Sequence, residues 1–440
     1  MLLKFTVVNY KSFKNTVTFS LTPAPKQKGL DYSVFQTKIN KKIYKGLSTA
    51  IIYGPNAAGK TNLIGAMDAF KSIVLRGNLR NSVEKSTPNT AANSLELIPN
   101  NIDVSPSPVS FSIEFIVDAL LVKYAFSADL GTFLDVGYSR KLLSESLHIN
   151  ETLIFDRRKT IDFGNLDVIS DYLVNEFSQN ASSAITLAKN NLNPEELFLM
   201  NGFKTMFSSK LTGIISDWLD NKFMVIYRAD SLQLIRKFSD PKNTSIYVEK
   251  TLNEAAQYFG INSNALGYVA TGDNNESKLC SLFKDATRSV AVPAELFESY
   301  GTLRFVNMFP LVINALLNGG TLIVDEFDAS LHPMALMNII NIFHNDEINV
   351  RHAQLVFNTH NPIFLNSNLY RRDEINFVER DEDTHCSSHY TLADFGTSGT
   401  NGVRKNEDYM KNYFINRYGA INDIDFTPIF EKILLSGSEV

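Results

Sequence analysis

The stretch from Gly54 to Thr61, GPNAAGKT, constrains the fold of this chain more than any other part of its sequence. It fits the pattern G-x-x-x-x-G-K-[S/T], which is informative only when a strand precedes it and a helix follows it. Both flanks meet this condition, because TAII at 49–52 is typical of a short buried strand and TNLIGAMDAF at 61–70 has apolar residues at helical spacing. The sequence therefore predicts an α/β domain with a glycine-rich loop between a strand and a helix.

The residue types of this loop suit a bound phosphate group. Glycines let the backbone come close enough for several N–H groups to donate at once, and the helix start adds the positive end of its dipole. Lys60 would reach the β- and γ-phosphates of a nucleotide, and the Thr61 hydroxyl would hold Mg²⁺. An ordinary glycine turn before a helix is the alternative. The predicted nucleotide-binding residues are Gly54, Pro55, Asn56, Ala57, Ala58, Gly59, Lys60, Thr61 and Asn62.

A second motif lies at 319–333, GGTLIVDEFDASLHP. TLIVDE is typical of a buried parallel strand that ends in two carboxylates, at the sheet edge where open α/β sheets bind ligands. Asp325 would orient Mg²⁺ through its water shell, and Glu326 would act as the general base toward the attacking water. The alternative is an ordinary pair of surface carboxylates at a strand end.

A third polar position follows the apolar strand at 355–357, which ends at Thr359 and His360. A histidine at the carboxyl tip of a strand can donate a hydrogen bond to a γ-phosphate, so we predict that His360 senses the nucleotide. A purely structural histidine is the alternative.

A fourth feature is the segment ESYGT at 298–302, which opens a long amphipathic helix. Ser299 and Gly301 at a helix start form a second anion site, with an ordinary N-cap as the alternative. One chain does not easily fold two helix starts onto one triphosphate. We therefore expect two chains to face each other head to tail, each offering Ser299 to the nucleotide on the other's Lys60.

Composition limits the class of protein. The chain has 440 residues, too many for one ordinary core, with 44% hydrophobic and 20% charged residues. A net charge of −5 argues against a globally basic nucleic-acid coat. Cys280 and Cys386 lie far apart in the chain. Apolar and polar residues alternate at the amino terminus, which is typical of a strand and not of a signal peptide. No apolar run reaches the roughly 18 residues of a membrane span. We expect a cytoplasmic protein without a membrane segment.

The remaining sequence suggests three parts: 1–165 with an antiparallel sheet, 166–285 as a mainly helical insertion, and 286–440 with the later motifs. Residues from about 75 to 110 are rich in Asn, Ser and Pro and are predicted to be loop. Period-two alternation follows at 109–130 and 145–159, and helical spacing from 166 to 223. Sustained heptads are missing, so no long coiled coil is expected.

Several smaller features are ambiguous. Trp218 and the Met- and Phe-rich helix at 194–211 are predicted to pack in the core, with an interaction face as the alternative. His385 and His389 are expected on a β-hairpin with a polar tip, with a metal site as the alternative. The basic clusters are expected on solvated faces, with a local DNA-facing stripe as the alternative. These clusters are Lys38, Lys41, Lys42 and Lys45; Arg157 to Lys159; and Arg371 with Arg372.

Together, FTVVNYKSF, GPNAAGKTN, ESYGT, LIVDEFDASLHP and THNP resemble the ABC-type ATPases of the Rad50/SMC/RecF group. More narrowly, the chain is similar to bacterial AAA15-type (AAA_21) ATPases, including those of AbiL/Rlo-type abortive-infection pairs, whose tail resembles residues 393–421. The resemblance covers about 1–70 and 290–425. It implies an ABC-type ATPase head, a P-loop NTPase, that uses ATP and Mg²⁺.

The resemblance also implies roles for individual residues. Lys60 and Thr61 would belong to Walker A, Asp325 and Glu326 to Walker B, and Ser299 and Gly301 to the signature. Ala329 to His332 would be the D-loop, His360 the switch histidine, and Asn9 to Phe13 a segment beside the base or ribose. The family's Gln between the two lobes is missing, since no Gln occurs between Gln36 and Gln179. Asn100 or Asn101 is the nearest substitute, and hydrolysis is expected to be slow if neither serves.

Three functions follow from the resemblance. The first is a sensor or regulatory ATPase in bacterial anti-phage defence, working as a homodimer or higher homo-oligomer. It would control a separately encoded toxic effector such as a nuclease or a Toprim, HNH or RloB-like protein. The second is a RecF- or Rad50-like DNA-repair ATPase that binds DNA when ATP is bound. The third, a transporter subunit, is disfavoured because an LSGGQ-like signature is absent.

Overall fold

The structure is a computed structural model. It describes residues 1–440 except 26, 28, 81–96, 103–106, 134–137, 176, 228–244, 248–249, 259–260, 262, 264, 272–275, 285–286, 399–401, 406, 423–424 and 438–440. Most of the predicted loop at 75–110 therefore lies outside the described residues.

The strands are numbered in chain order. They are β1 (Leu2–Val8), β2 (Val17–Ser20), β3 (Val34–Ile39), β4 (Lys42–Leu47), β5 (Thr49–Tyr53), β6 (Val109–Val117), β7 (Leu120–Asp129), β8 (Lys141–Ile149), β9 (Thr152–Arg157), β10 (Ile161–Phe163), β11 (Phe223–Ile226), β12 (Ser245–Tyr247), β13 (Ala265–Thr271), β14 (Glu276–Lys284), β15 (Ser289–Pro293), β16 (Thr321–Val324), β17 (Gln354–Asn358), β18 (Ile375–Arg380) and β19 (Ser387–Thr391).

The α-helices are α1 (Lys60–Arg76), α2 (Phe177–Asn190), α3 (Ser209–Asp217), α4 (Lys250–Gln257), α5 (Tyr300–Asn318), α6 (Pro333–His344), α7 (Tyr409–Phe414) and α8 (Thr427–Gly437). Shorter helical turns occur at Asp31–Ser33, Leu166–Tyr172, Leu199–Phe203, Lys204–Met206, Trp218–Lys222, Ala294–Leu296, Pro362–Phe364 and Leu392–Phe395.

A six-stranded sheet in the order β11-β16-β17-β5-β18-β19 forms the centre of the molecule. Its first five strands run parallel, and β19 is antiparallel to β18. Every residue of β5, β16 and β17 is buried, which explains why these segments are continuous apolar runs. Because the strands are parallel, their carboxyl ends share one edge, and the segments after β5, β16 and β17 meet there.

A seven-stranded antiparallel sheet in the order β10-β9-β8-β7-β6-β1-β2 forms the second layer. One face packs aromatic rings against α1: Phe70 lies 5.7 Å from Phe5 and 5.7 Å from Phe126 between ring centroids. The alternation seen in the sequence arises because only this face is buried. The predicted mixed α/β fold with an antiparallel lobe, and without a long coiled coil among the described residues, is confirmed.

The segment 166–285 differs in part from its description as a mainly helical insertion. Helices and helical turns extend to Lys222, but the strands β11, β12, β13 and β14 follow within the same segment. The helical spacing of apolar residues ends at Lys222, and the next segment, β11, is an edge strand of the central sheet beside β16. The domain boundaries themselves stay a prediction.

Trp218 packs in the core, as expected. Its side chain is buried, and its ring stacks on Phe115 with centroids 3.7 Å apart. The hairpin expected around His385 and His389 is also observed, formed by β18 and β19. His389 contacts the Asn376 amide oxygen at 3.0 Å through Nε2, and burial lowers its pKa to about 4. No group of three or more metal-ligating side chains occurs among the described residues.

The prediction of solvated basic faces is correct for Lys38, Lys41, Lys42 and Lys45, all exposed on or beside the hairpin β3–β4. It is wrong for Arg157, Arg371 and Arg372, which are buried.

These three arginines cross-link the chain. Arg371 pairs with Asp373 at 2.9 Å, and Arg372 donates to the Val403 carbonyl at 2.7 Å. Their planar guanidinium groups reach several distant acceptors at once, a role that a run of charges in the sequence does not reveal.

Within the described residues, α5 is the one helix long and apolar enough by length and composition to cross a membrane. It is a core helix here: Phe305, Val306, Met308 and Val312 on it are buried against the central sheet.

We expect Arg157→Ala to lower the free energy of unfolding by about 3–5 kcal/mol, because it removes one partner of a buried ion pair. Arg157 lies 3.5 Å from the buried Glu145 carboxylate and donates to the Glu196 carbonyl at 2.7 Å. Arg158→Ala is the matched control, since Arg158 is 78% exposed and its pair with Asp156 is worth at most about 1 kcal/mol. Equal urea midpoints for the two variants would contradict this.

Candidate functional site

The glycine-rich loop lies between β5 and α1, as predicted. The Lys60 ammonium is buried beneath it and donates to the Gly54 carbonyl at 2.7 Å and the Pro55 carbonyl at 2.9 Å. Burial lowers the pKa of Lys60 to about 8, although Asp325, Glu326 and Asp328 nearby act to raise it. The cation is thus held inside its own loop and is only weakly hydrated.

The two glycines of the loop are required by space and by backbone geometry. Gly54 and Gly59 have φ angles of 157° and 113°, which side chains rarely adopt. A Cβ at Gly54 would lie 2.2 Å from the Val378 carbonyl, and one at Gly59 would lie 2.5 Å from the Ser387 hydroxyl. The hairpin β18–β19 therefore packs against the loop so closely that only glycine fits at these two positions.

The other loop residues divide by exposure. Asn56 and Ala57 are exposed, Pro55 is half-buried, and Ala58 is buried. The Ala58 carbonyl accepts a hydrogen bond from the Ser387 hydroxyl at 2.5 Å. The exposed residues Asn56 and Ala57 can therefore contact a ligand, while Ala58 is held in place by Ser387. Backbone N–H groups in such loops form anion-binding concavities.

The segment at 9–13 lies beside the loop. The Asn62 amide donates to the Ser12 hydroxyl at 2.8 Å, and Ser12 also lies close to Gly59. Lys11 donates to the Tyr227 hydroxyl at 3.1 Å. This segment thus brings hydroxyl and ammonium groups next to the start of α1.

Asp325 and Thr61 lie together at the carboxyl edge of the sheet. The Thr61 hydroxyl donates to the Asp325 carboxylate at 3.1 Å, and Asp325 is buried. The Asn358 amide donates to the same carboxylate oxygen at 2.5 Å. Oxygen ligands of this kind are those that Mg²⁺ prefers.

Glu326 follows Asp325 with its side chain exposed at the same edge. Its φ angle is 52°, a left-handed conformation that is uncommon for residues other than glycine. Its backbone is held from both sides, because its N–H donates to the Asn358 amide oxygen and its carbonyl accepts from Arg304 of α5. The strained turn aims the carboxylate away from the sheet, toward solvent.

Asn358 and Arg304 were missed by the sequence analysis. Asn358 is the last residue of the apolar strand β17, and a polar residue in that position was a usable signal. Arg304 gave no such signal, since one arginine on a long helix is ordinarily a surface residue.

His360 lies near the loop cation. Partial burial and the Lys60 charge lower the pKa of His360, so its imidazole is neutral at pH 7 and donates one N–H. The preceding Thr359 donates to the Asp328 carboxylate, whose pKa is raised by burial. This hydrogen bond therefore connects the end of β17 to the segment that follows β16.

Ser299 and Gly301 lie at the start of α5. The Ser299 hydroxyl accepts from the Thr302 N–H at 3.1 Å, and its side chain is exposed. A Cβ at Gly301 would lie 2.5 Å from the Ser330 carbonyl, so this helix start packs directly on the D-loop segment. The described contacts thus gather Lys60, Thr61, Asp325, Glu326 and His360 in one chain, whereas Ser299 faces outward.

The expected substitute for the missing Gln is not well placed. Asn100 is buried, and its amide donates to the Lys11 carbonyl at 2.6 Å while its oxygen accepts from the Ile102 N–H. Asn101 is exposed. The strand beside Walker B is β11, and Tyr227 follows it, packed 3.0 Å from the Cβ position of Gly65 on α1.

These residues fit a magnesium-bound nucleotide. Adding a Cβ to either loop glycine would close the cradle, one buried cation lies beneath it, and a hydroxyl and a carboxylate meet beside it. A phosphate group is bound by such a backbone cradle and by the cation, and Mg²⁺ is bound by the hydroxyl and the carboxylate.

No curated protein matches the chain. Two solved structures matched by the chain are the SMC head domain from Thermotoga maritima and an SMC head bound to the C-winged helix domain of ScpA. Their TM-scores are 0.35 and 0.38, each at 13% identity over 89% of this chain, with 98% and 97% of those chains covered.

The family model described as "AAA domain, putative AbiEii toxin, Type IV TA system" matches residues 50–366, a range that runs from β5 past His360. The chain therefore belongs to the AAA_21 family.

Proposed function

We propose that this protein binds and hydrolyses ATP with Mg²⁺, in sites completed by a second copy of the chain. One observation carries the proposal: the buried Lys60, the Thr61–Asp325 pair and Glu326 all lie at one carboxyl edge of the central sheet. The family match over 50–366 supports the same activity.

Each residue has a separate task in this proposal. Lys60 and the loop N–H groups bind the phosphates, and Thr61 and Asp325 hold Mg²⁺. When bound, Mg²⁺ and ATP supply a polarised phosphoanhydride bond. Glu326 accepts the proton of the attacking water. The neutral His360 donates its N–H toward the γ-phosphate and so responds to its presence.

The position of Ser299 is the reason for proposing that a second copy completes each site. This serine lies at the start of the 19-residue helix α5, and its side chain is exposed. An exposed serine at a helix start is suited to an anion presented by another molecule. Head-to-tail pairing of two chains would place this serine over the partner's loop.

In the cell, we place this ATPase as the sensor or regulator of an abortive-infection pair that controls a separately encoded effector. The description of the matching family, which names a toxin and a toxin–antitoxin system, supports this assignment. A DNA-repair ATPase is the second candidate. It is favoured by the exposed Lys38, Lys41 and Lys45 on or beside the hairpin β3–β4.

Glu326→Gln should retain ATP binding and lower turnover by at least about 100-fold, because a general base contributes 10²–10⁴-fold. ATP-bound dimers should accumulate and be visible by light scattering. Adding Ser299→Arg to this variant should abolish the dimer while ATP still binds. Unchanged hydrolysis in Glu326→Gln would show that the base is misassigned.

The regulatory assignment is tested by mixing Glu326→Gln protein, with and without ATP, with the product of the adjacent gene. We expect an ATP-dependent complex, and no complex in either state would contradict the assignment. ATP-dependent, salt-sensitive DNA binding that is lost when Lys38, Lys41 and Lys45 are changed to Glu would favour the repair function instead.

The affinity for ATP should fall as pH rises through about 8, because the free Lys60 loses its proton there and only the charged form attracts phosphate. Between pH 7 and pH 9 the dissociation constant should rise about tenfold. Lys60→Arg should bind with a flat profile over this range, since arginine does not titrate there. Calorimetry gives both constants, and equal slopes for the two proteins would exclude Lys60 as the titrating group.

A further inference from the structure

The serine at the start of β19 connects the glycine-rich loop to another distant segment. The Ser387 side chain is buried, and its hydroxyl donates to the Ala58 carbonyl at 2.5 Å. The Ser387 backbone N–H donates to the Ser12 carbonyl at 2.7 Å. One residue therefore holds the loop and the segment at 9–13 together, although it lies 329 positions after Ala58 in the chain.

The hairpin that carries Ser387 is a rigid support for this contact. β18 pairs in parallel with β5, the strand that leads directly into the loop, and β19 pairs with β18. β18 also packs on the loop itself, since the Val378 carbonyl lies 2.2 Å from the position of a Cβ at Gly54. The Ser387 hydroxyl is therefore held at a fixed place relative to the base of the loop.

The Ser387 hydrogen bond fixes the orientation of the peptide group between Ala58 and Gly59. In a planar trans peptide, the carbonyl and the N–H that follows it point in opposite directions. Because the Ala58 carbonyl points to Ser387, the Gly59 N–H points away from the hairpin β18–β19. Within the part of the chain that the structure describes, no backbone carbonyl accepts from this N–H. It is a donor available to a ligand.

This peptide group needs a restraint from outside the loop. Rotation of a peptide group changes the φ angle of the residue after it, and glycine tolerates both signs of φ. Gly59 has a φ angle of 113°, and Ala57 has a left-handed φ angle of 62°. Strained backbone of this kind persists only where the surrounding contacts determine it. The Ser387 hydroxyl supplies such a contact at the Ala58 carbonyl.

We propose that Ser387 is a positioning residue for the nucleotide, because through the Ala58 carbonyl it turns the Gly59 N–H toward a bound phosphate. This inference rests on the proposed function and names a residue that prepares the same site. Without the hydroxyl, the peptide group can rotate, and a nucleotide has to restore its orientation on binding. The backbone of such loops binds the α- and β-phosphates, which ATP and ADP share. Both nucleotides should therefore bind more weakly.

The first test compares Ser387→Ala with the wild-type protein. We expect the dissociation constants of ATP and ADP, measured by calorimetry, and KM for ATP to rise about tenfold, because one charge-assisted hydrogen bond to phosphate is no longer preorganised. The turnover number kcat should change by less than about twofold, since the contact is the same in the ground state and the transition state. Ser388→Ala is the matched control, because Ser388 is the next residue of β19 and is exposed. It should leave all these constants unchanged.

A purely structural serine gives a different result. A fraction of the Ser387→Ala protein would then be misfolded, so kcat would fall in proportion to that fraction while KM stayed unchanged. Either this pattern or constants equal to those of Ser388→Ala would overturn the proposal.

The second test observes the peptide group directly, by nuclear magnetic resonance. The chain contains one Ala-Gly sequence, Ala58–Gly59. Labelling alanine carbonyls with carbon-13 and glycine nitrogens with nitrogen-15 therefore gives a single carbonyl-filtered amide signal. In the wild-type protein and in Ser388→Ala, its proton should move downfield when Mg²⁺ and ADP are added. In Ser387→Ala, the signal should differ already without nucleotide and respond only at about tenfold higher ADP.

The outcomes separate this inference from the proposed function. A wild-type signal that stays in place while calorimetry shows ADP binding would refute the positioning role and leave nucleotide binding intact. The same holds for a Ser387→Ala signal identical to that of the wild-type protein throughout the titration. A wild-type protein that binds neither ATP nor ADP would instead refute the proposed function, and this inference with it.

Discussion

The arrangement of the site depends on the hydrogen bonds of one buried amide, that of Asn358. Its nitrogen donates to the Asp325 carboxylate and its oxygen accepts from the Glu326 N–H, so one side chain fixes both residues at the end of the neighbouring strand. In a buried setting each of these groups would be costly to leave without a partner. The same amide therefore holds the Asp325 carboxylate and the Glu326 backbone at the end of β17.

The parallel sheet makes this arrangement possible. Strands β16, β17 and β5 are neighbours in space, but β5 precedes β16 by more than 250 residues. Only the parallel pairing brings the ends of all three to one edge. The antiparallel sheet then packs its aromatic face on α1, which holds the helix that starts at Lys60 against the central sheet.

Two surfaces of the molecule are left open to other chains. The start of α5 presents Ser299 next to the D-loop, whereas the last helix, α8, presents exposed apolar side chains such as Phe430 and Leu434. The first surface is polar and suits an anion, and the second is apolar.

Local structure around the candidate site could be predicted from sequence patterns alone. The loop at 54–61 and the strand ending at Asp325 and Glu326 were identified correctly, because a strand–loop–helix unit and a buried strand depend on residues close together in the chain. The hairpin that carries His389 was also predicted correctly.

Other features of the molecule depend on contacts between segments that are far apart in the chain. Arg157, Arg371 and Arg372 look like surface charges in sequence, yet each is buried because acceptors from distant segments surround it. The strand β11 could not be assigned to the central sheet, since its partner β16 lies about a hundred residues later. The roles of Asn358 and Arg304 likewise depend on contacts across the fold, which no local pattern encodes.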